Sequence, residues 1–333
     1  MKGHMRILSG IQPTGILHIG NYFGMMRPAI ALQDEGEALY FIADYHALTS
    51  LRDPLALREN SRRVALDFIA CGLNPDKSAL FRQSDVRQVT ELAWILSTVT
   101  PVSRLELAHS YKDKIARGAP AAAGLFTYPV LMAADILIYD SDIVPVGKDQ
   151  KQHLEIARDI ATRINETFGS KREGRVLKLP EARIQAQTEV VPGIDGQKMS
   201  KSYGNTIDLT DDDASVTKKV RQMYTDPKRV RADVPGTVEG NPVFMYHDAF
   251  NTNVAEVDDL KARYRAGKVG DVEVKTKLAA AMNAALEPVR ARRREVMARP
   301  DHMREVLVEG SRRARVVAQA TMERVRDAMK LRY

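Results

Sequence analysis

Two short stretches, far apart in the chain, carry the side chains best suited to chemistry on phosphates. The first is Gly10-Ile11-Gln12-Pro13-Thr14-Gly15-Ile16-Leu17-His18-Ile19-Gly20-Asn21, and the second is Gly196-Gln197-Lys198-Met199-Ser200-Lys201-Ser202. The first lies where a strand-like segment, Arg6 to Gly10, passes through the turn Pro13-Thr14-Gly15 into a helix predicted over Leu17 to Leu32. A helix start offers unpaired N–H groups and the positive end of a dipole, both favourable to phosphate. Gly10 and Gly15 are expected to turn the backbone tightly, and Gly20 to leave room for a ligand against the helix. His18 and Asn21 are three apart, on one helix face, where both could donate to phosphate oxygens. In the second stretch two lysines, three residues apart, occupy a Gly-flanked polar loop that can close over a triphosphate. The plainer alternative is a helix that happens to carry a His and an Asn, plus a solvated charged turn. Neither stretch is a Walker loop or a Gly-x-Gly-x-x-Gly turn.

A third feature is an acid in an apolar helix, Asp135 within Tyr128-Pro129-Val130-Leu131-Met132-Ala133-Ala134-Asp135-Ile136-Leu137. A carboxylate there is costly unless something satisfies it. A ligand N–H such as an indole would do so, with Met132 on the same face as an adaptable sulfur against a ring. An arginine partner or a capping role would also satisfy it.

The elements that must hold these residues alternate through the first half. Strands are predicted at Arg6–Gly10, Ala38–Asp44, Ala79–Gln83 and Asp142–Val146, the second nearly continuous in apolar residues. Helices are predicted after Pro54 and from Lys151 to Phe168, so the first half reads as α/β, a doubly wound parallel sheet. Residues from about Thr90 to Tyr139 read as a helical insertion. Beyond Ser202 no strand alternation appears: Thr210 with Asp211, Asp212 and Asp213 reads as a capped helix start. Leu278, Met282, Leu286 and Val289 recur at helical spacing, as do Leu307, Ala314, Val317, Thr321, Val325 and Met329. The expected division is a catalytic domain over 1–204 and an all-helical domain over 205–333, whose last helix could return to the first.

With 44% hydrophobic and 28% charged residues the chain can bury a proper core. It has no apolar run long enough for a membrane span and no secretory signal pattern. Cys71 stands alone, which excludes an internal disulfide and a Cys-rich zinc site, suits a reducing cytoplasm, and reads as a small core residue. The net charge of +7 is compatible with a polyanionic partner. Arginines crowd near the end, at Arg290, Arg292, Arg293, Arg294, Arg299, Arg304, Arg312, Arg313, Arg315, Arg324 and Arg326. They suit either solvated helix faces or phosphate contact.

The first two stretches together resemble the paired signatures of class I aminoacyl-tRNA synthetases. The string from Ser9 to Gly24, and Gly147-Lys148-Asp149-Gln150-Lys151-Gln152-His153, are similar to the tryptophan-specific family. Asn21 stands where the general signature ends in a second His, a variant usual in that family. Lys148 stands where an acid is common, and Leu8 where an aromatic is common. The resemblance implies a Rossmann-like catalytic domain, ATP with Mg²⁺ and no metal ligands from side chains, L-tryptophan and tRNA(Trp) as substrates, and a homodimer formed through about Thr90 to Ala123. It implies that His18, Asn21, Lys198, Lys201 and Lys114 serve the phosphates. Gln12, Thr14, Gly20, Met199, Ser200 and Ser202 would border ATP, with Gly147, Asp149 and Gln150 at the ribose. Asp135 would accept the indole proton in a pocket shaped by Leu8, Gln12, His46, Tyr128, Met132, Val144, Val146 and Gln150. The tyrosine-specific family shares fold and signatures, and a synthetase-like binding protein would keep the fold without the reaction. The Ser9–Gly24 string and the Asp135 helix argue against the former, and the intact lysines against the latter.

Overall fold

Five short strands set the frame. In a computed structural model, which describes residues 5–106, 122–146, 150–170, 174–184, 191–226, 229 and 231–332, they are β1 (Arg6–Ile11), β2 (Glu37–Ile42), β3 (Ser78–Arg82), β4 (Ile143–Val146) and β5 (Glu181–Ile184). All pair in parallel, in the order β3-β2-β1-β4-β5. The winding reverses at β1, so a crevice opens beyond the ends of β1 and β4, where such sheets receive ligands. β2 is buried from Ala38 to Ile42, as its apolar run requires. β5 was not expected from the sequence; Glu-Ala-Arg-Ile is too short and too charged to show a strand pattern. Gly10 is paired strand beside Phe41, not a turn: a Cβ there would lie 2.4 Å from the Phe41 ring.

The helix expected over Leu17 to Leu32 begins later and is broken in pitch. α1 (Ile19–Asn21) runs into a wide π-type turn, Tyr22–Met26, and then α2 (Arg27–Ala31). Pro28 has no N–H to return to Gly24 and its ring would press on that carbonyl. The Arg27 N–H accordingly bonds one residue further back, to Tyr22 O. After β2 come α3 (Asp44–Ala47) and α4 (Pro54–Ala70), the latter capped by the Asp53 carboxylate on the N–H groups of Leu55 and Ala56. α5 (Gln88–Ser97), α6 (Val102–Glu106) and α7 (Ala123–Ile138) occupy the expected insertion; Lys114 lies outside the described residues.

α8 (Lys151–Phe168) buries Leu154, Ala157, Ile160, Ala161 and Ile164 along one stripe. Then follow α9 (Asp213–Arg221), α10 (Pro242–Phe250), α11 (Val254–Arg265), α12 (Asp271–Met297) and α13 (Pro300–Ala328). The cap of α9 is Asp212, which accepts from Ser215 N–H at 2.8 Å. Thr210 is not the cap, because a turn from Asp208 to Asp211 intervenes.

The two sheet faces carry two cores. Tyr40 and Ile42 pack in one cluster with Val216, Phe244, Leu278 and Met282 of the C-terminal helices. Leu39 and Phe41 pack in the other with Leu92, Val130 and Ile160, and with Ala314, Ala318, Met322 and Val325 of α13. α13 lies against β3 so closely that a Cβ on Gly310 would be 2.0 Å from Leu80 O. Cys71 is buried in the first cluster and its thiol is pushed up to about 12 by burial, the behaviour of a core residue. Among the described residues no helix is long and apolar enough to cross a membrane.

Most of the crowded arginines prove to be staples between elements. Arg290 bonds Asp213 and Asp211 O, Arg292 bonds Ala70 O, and Arg293 bonds the buried Asp67 at 3.0 Å. From α13, Arg313 reaches Ser78 O, Arg324 reaches Val176 O and Asp140, and Arg326 forks onto Glu91. Arg294 and Arg312 pair within their own helices with Glu287 and Glu309. Arg299, Arg304 and Arg315 are exposed.

Candidate active site

Two cavities meet at Gln12. The first, of about 500 Å³, is lined by Leu8, Gln12, His46, Tyr128, Met132, Asp135, Val144, Val146 and Gln150, every residue the sequence proposed for the amino-acid pocket. That volume suits a small ligand. The strand ends supply the apolar wall, because alternate residues of β1 and β4 face the same side. Phe41, Ala43 and Thr49 also line it, and no motif had pointed to them; His153, the last residue of the Gly147–His153 string, lines it too, though no role had been given to it.

Asp135 is 1% exposed. It accepts from His46 Nε2 at 2.8 Å, and Gln83 Nε2 lies 2.8 Å from each of its oxygens. Burial raises its pKa, and the bonds from His46 and Gln83 offset only part of that rise. The carboxylate is thus satisfied by an imidazole and an amide, not by an arginine. Tyr128 lines the cavity with its hydroxyl 2.7 Å from His153 Nε2, and burial pushes its phenol up to about 12.

The second cavity, of about 350 Å³, is lined by Gln12, Thr14, His18, Asn21, Met199, Ser200 and Lys201, with Ile11 and Leu17. The two signature stretches therefore come together in space. Their internal geometry differs from the one-face picture. His18 is the residue that caps α1: its Nδ1 accepts from Asn21 N–H at 3.2 Å, while Asn21 Oδ1 accepts from His18 N–H at 3.1 Å. Burial and the nearby Lys201 ammonium lower the His18 pKa. A neutral imidazole that accepts at Nδ1 carries its proton on Nε2, so His18 offers an Nε2–H donor. Asn21 keeps its amide N–H₂ for a ligand. Gly20 packs against the His18 ring and Met199, so the space beside it is already filled.

Lys201 reaches over the first turn, with Nζ 3.5 Å from Thr14 O, and burial lowers its pKa. Gly15 makes room for it; its φ is +121°, and a Cβ would lie 3.1 Å from that nitrogen. Lys198 is exposed and does not line the cavity. Ser202 lies in the single helical turn Lys201–Tyr203. Gly147, Lys148 and Asp149 lie outside the described residues.

The loop between Gly193 and Asn205 is held by a residue that the sequence did not reveal. Asn205, 2% exposed, donates from Nδ2 to Asp195 Oδ1 (2.8 Å) and Lys198 O (3.1 Å), and its Oδ1 accepts from Ser200 N–H (2.8 Å). Beyond it, Ile19 N–H bonds Ile207 O and Leu209 N–H bonds Leu17 O, each at 2.9 Å, which ties the loop's end to the first signature. Asn205→Ala removes three hydrogen bonds at once and is expected to cost about 2 kcal/mol in urea unfolding. It should also speed proteolytic cleavage between Gly193 and Ser202. Unchanged cleavage would remove Asn205 as the clasp.

Residues 1–287 match the family described as tRNA synthetases class I (W and Y). The chain is 48% identical to a protein named tryptophan–tRNA ligase of Fusobacterium nucleatum over 98% of this chain and 97% of that one. It is 47% identical to one of the same name in Treponema pallidum, again over 98% and 97%. A solved tryptophanyl-tRNA synthetase of Campylobacter jejuni, complexed with ADP and tryptophan, superposes with a TM-score of 0.89 at 43% identity, covering 98% of this chain and all of that one. With both signatures converging on one crevice, the chain belongs to the class I tRNA synthetases of the W and Y type, in the group of tryptophan–tRNA ligases.

Proposed function

We propose that the chain activates L-tryptophan with ATP, forming tryptophanyl-adenylate and pyrophosphate, and passes the tryptophanyl group to tRNA(Trp). The observation that carries this reading is Asp135, a buried carboxylate facing an apolar cavity that opens through Gln12 onto a cation-lined one. The first cavity takes the indole, with Asp135 accepting its N–H, Met132 against the ring, and Tyr128 and Gln150 towards the ammonium group. Leu8, His46, Val144 and Val146 shape the ring site. The second takes the triphosphate.

In the first step a tryptophan carboxylate oxygen attacks the α-phosphorus, and the bond from that phosphorus to the β-bridging oxygen breaks to release pyrophosphate. The carboxylate is already ionised, so no general base is required, and the chain's contribution is positioning and charge stabilisation. His18 Nε2–H, Asn21 and Lys201 act on the phosphate oxygens, and Lys198 joins them when the loop closes. Lys114 is assigned to the same phosphates, and Gly147 and Asp149 to the ribose. Gln12, Thr14, Met199, Ser200 and Ser202 border the nucleotide. In the second step a hydroxyl of the terminal tRNA adenosine attacks the acyl carbon and AMP leaves.

Among the described residues the phosphate cavity offers ammonium, imidazole and amide groups and no carboxylate to hold a bare dication, so Mg²⁺ would come already bound to the ATP phosphates. When bound it would supply charge neutralisation on the oxygens of the departing pyrophosphate. Residues 205–333 are assigned to the tRNA anticodon. Arg299, Arg304 and Arg315 support phosphate contact there, since they are exposed while most neighbouring arginines are spent on internal bonds. A homodimer is supported by Trp94, 74% exposed on the insertion. A cytoplasmic location fits the reduced, buried Cys71.

ATP–pyrophosphate exchange run separately with each common amino acid, followed by charging of purified tRNA, tests the reading. Exchange with tryptophan alone is expected. Exchange driven by tyrosine would assign the chain to the sister specificity, and no exchange with any amino acid would favour a binding protein.

A further inference from the structure

Asp135 is held by a residue that no motif names. Gln83 follows β3, is 0% exposed, and sets its Nε2 at 2.8 Å from both Asp135 oxygens. Its Oε1 accepts from the backbone N–H groups of Tyr45 (3.1 Å) and His46 (3.4 Å). Those two donors decide which way the amide faces. A flipped amide would set N–H₂ against two N–H groups and a carbonyl against a carboxylate. The segment carrying the donors is anchored in turn: the Asp44 carboxylate accepts from Tyr45 N–H (3.1 Å), Ser84 N–H (3.0 Å) and the Ser84 hydroxyl.

The two Asp135 oxygens are therefore unequal. Oδ2 takes His46 Nε2 and Gln83 Nε2, whereas Oδ1 takes Gln83 alone. Each carboxylate oxygen has about two acceptor directions, so Oδ2 is filled and Oδ1 keeps one open, on a side chain that lines the cavity. A buried carboxylate without such donors would turn away or take up a proton. A protonated acid would then present an O–H to an incoming N–H, donor against donor.

We infer that Gln83 is a positioning residue for substrate selection: it locks Asp135 so that Oδ1 alone faces the ring N–H of tryptophan, and so sets the preference for that N–H over a ring of equal shape lacking it. The inference rests on the reading of Asp135 as the indole acceptor. The chemistry follows from satisfaction: an acceptor fixed in place and left unpaired penalises a ligand without a donor, whereas one free to swing away penalises it less.

The test compares tryptophan with benzothienylalanine, in which sulfur replaces the ring N–H, by pyrophosphate exchange with the full chain. Gln83→Met keeps length and apolar bulk and removes the amide. Gln83→Asn keeps the amide on a stem too short to span from the backbone donors to Asp135. The wild-type chain should prefer tryptophan by about 10³-fold or more in kcat/KM. Either variant should shrink that ratio by about tenfold or more, through a higher KM for tryptophan, with KM for ATP within about twofold and the analogue little changed. A ratio preserved while both substrates fall together would show that Gln83 merely holds the strand ends, and would overturn the inference. Unchanged values for both substrates would overturn it equally. Should Gln83→Met fail to fold, Gln83→Asn is read by the same outcomes. A wild-type chain that uses both substrates alike would instead remove the Asp135 reading, and the inference with it.

Discussion

Asp135→Asn lowers kcat/KM for tryptophan in pyrophosphate exchange by about 10²- to 10³-fold and narrows the preference for tryptophan over tyrosine. The size follows from what the substitution does to its neighbours. His46 Nε2 and Gln83 Nε2 both point donors at this side chain from 2.8 Å. An amide offers one acceptor oxygen where the carboxylate offered two, and its N–H₂ must face a donor whichever way it turns. Lost charge-assisted bonds and an unpaired buried donor each cost about 1.5–3 kcal/mol, and tenfold in rate is about 1.4 kcal/mol. The loss should fall on tryptophan KM while KM for ATP stays within about threefold, since Asp135 does not line the phosphate cavity. An unchanged preference over tyrosine would remove Asp135 from selectivity.

The second large effect belongs to Lys201. Lys201→Ala should lower the single-turnover rate of adenylate formation by about 10²- to 10³-fold, the range for one preorganised donor lost from a developing anion. Tryptophan affinity should change by less than about threefold. Lys201 already lies over the first turn, 3.5 Å from Thr14 O, with its charged form disfavoured by burial. A triphosphate supplies the counter-charge this ammonium lacks, so the interaction strengthens as negative charge grows on the departing pyrophosphate. Lys198 is exposed and must move with its loop to contribute. Its alanine variant is therefore expected to respond more to loop closure, and Asn205→Ala should depress it further. Equal losses of tryptophan binding and rate in Lys201→Ala would contradict a role confined to phosphate charge.

Sequence and structure agree where a single physical signal decides. The buried run Leu39 to Ile42 could only be a strand covered on both faces, and the apolar stripe from Leu154 to Ile164 only a helix against the sheet. Asp135 was legible because a carboxylate in an apolar helix requires an explanation. What supports it was not: Gln83 was expected as the last residue of a short strand and looks like any polar strand end, and its partners are 52 residues away at Asp135 and 38 away at Tyr45. Asn205 was hidden for the same reason, since clasping Asp195, Lys198 and Ser200 depends on a loop path that spacing does not encode.

The signature residues show a subtler gap. Helical spacing puts His18 and Asn21 on one face, but the helix starts between them, so each first satisfies the other's backbone N–H. Their ligand-facing groups are what remains, an imidazole Nε2–H and an amide N–H₂. The C-terminal arginines carry the opposite lesson. Composition left solvated helix faces and phosphate contact both open, yet Arg290, Arg293 and Arg324 are committed to Asp213, Asp67 and Asp140 of the same chain. Charge counted along a chain says little until its partners are known.

In the proposed reaction two adjoining cavities divide the labour, Asp135 choosing the amino acid and Lys201 serving the phosphates. Calorimetric titration of tryptophan and of a non-hydrolysable ATP analogue into the Asp135→Asn and Lys201→Ala proteins tests it most directly. A crossed result is expected: Asp135→Asn weakens tryptophan by about 30-fold or more and leaves the nucleotide within about threefold, while Lys201→Ala does the reverse in direction, with tryptophan unchanged. Both variants weakening both ligands alike would contradict the division.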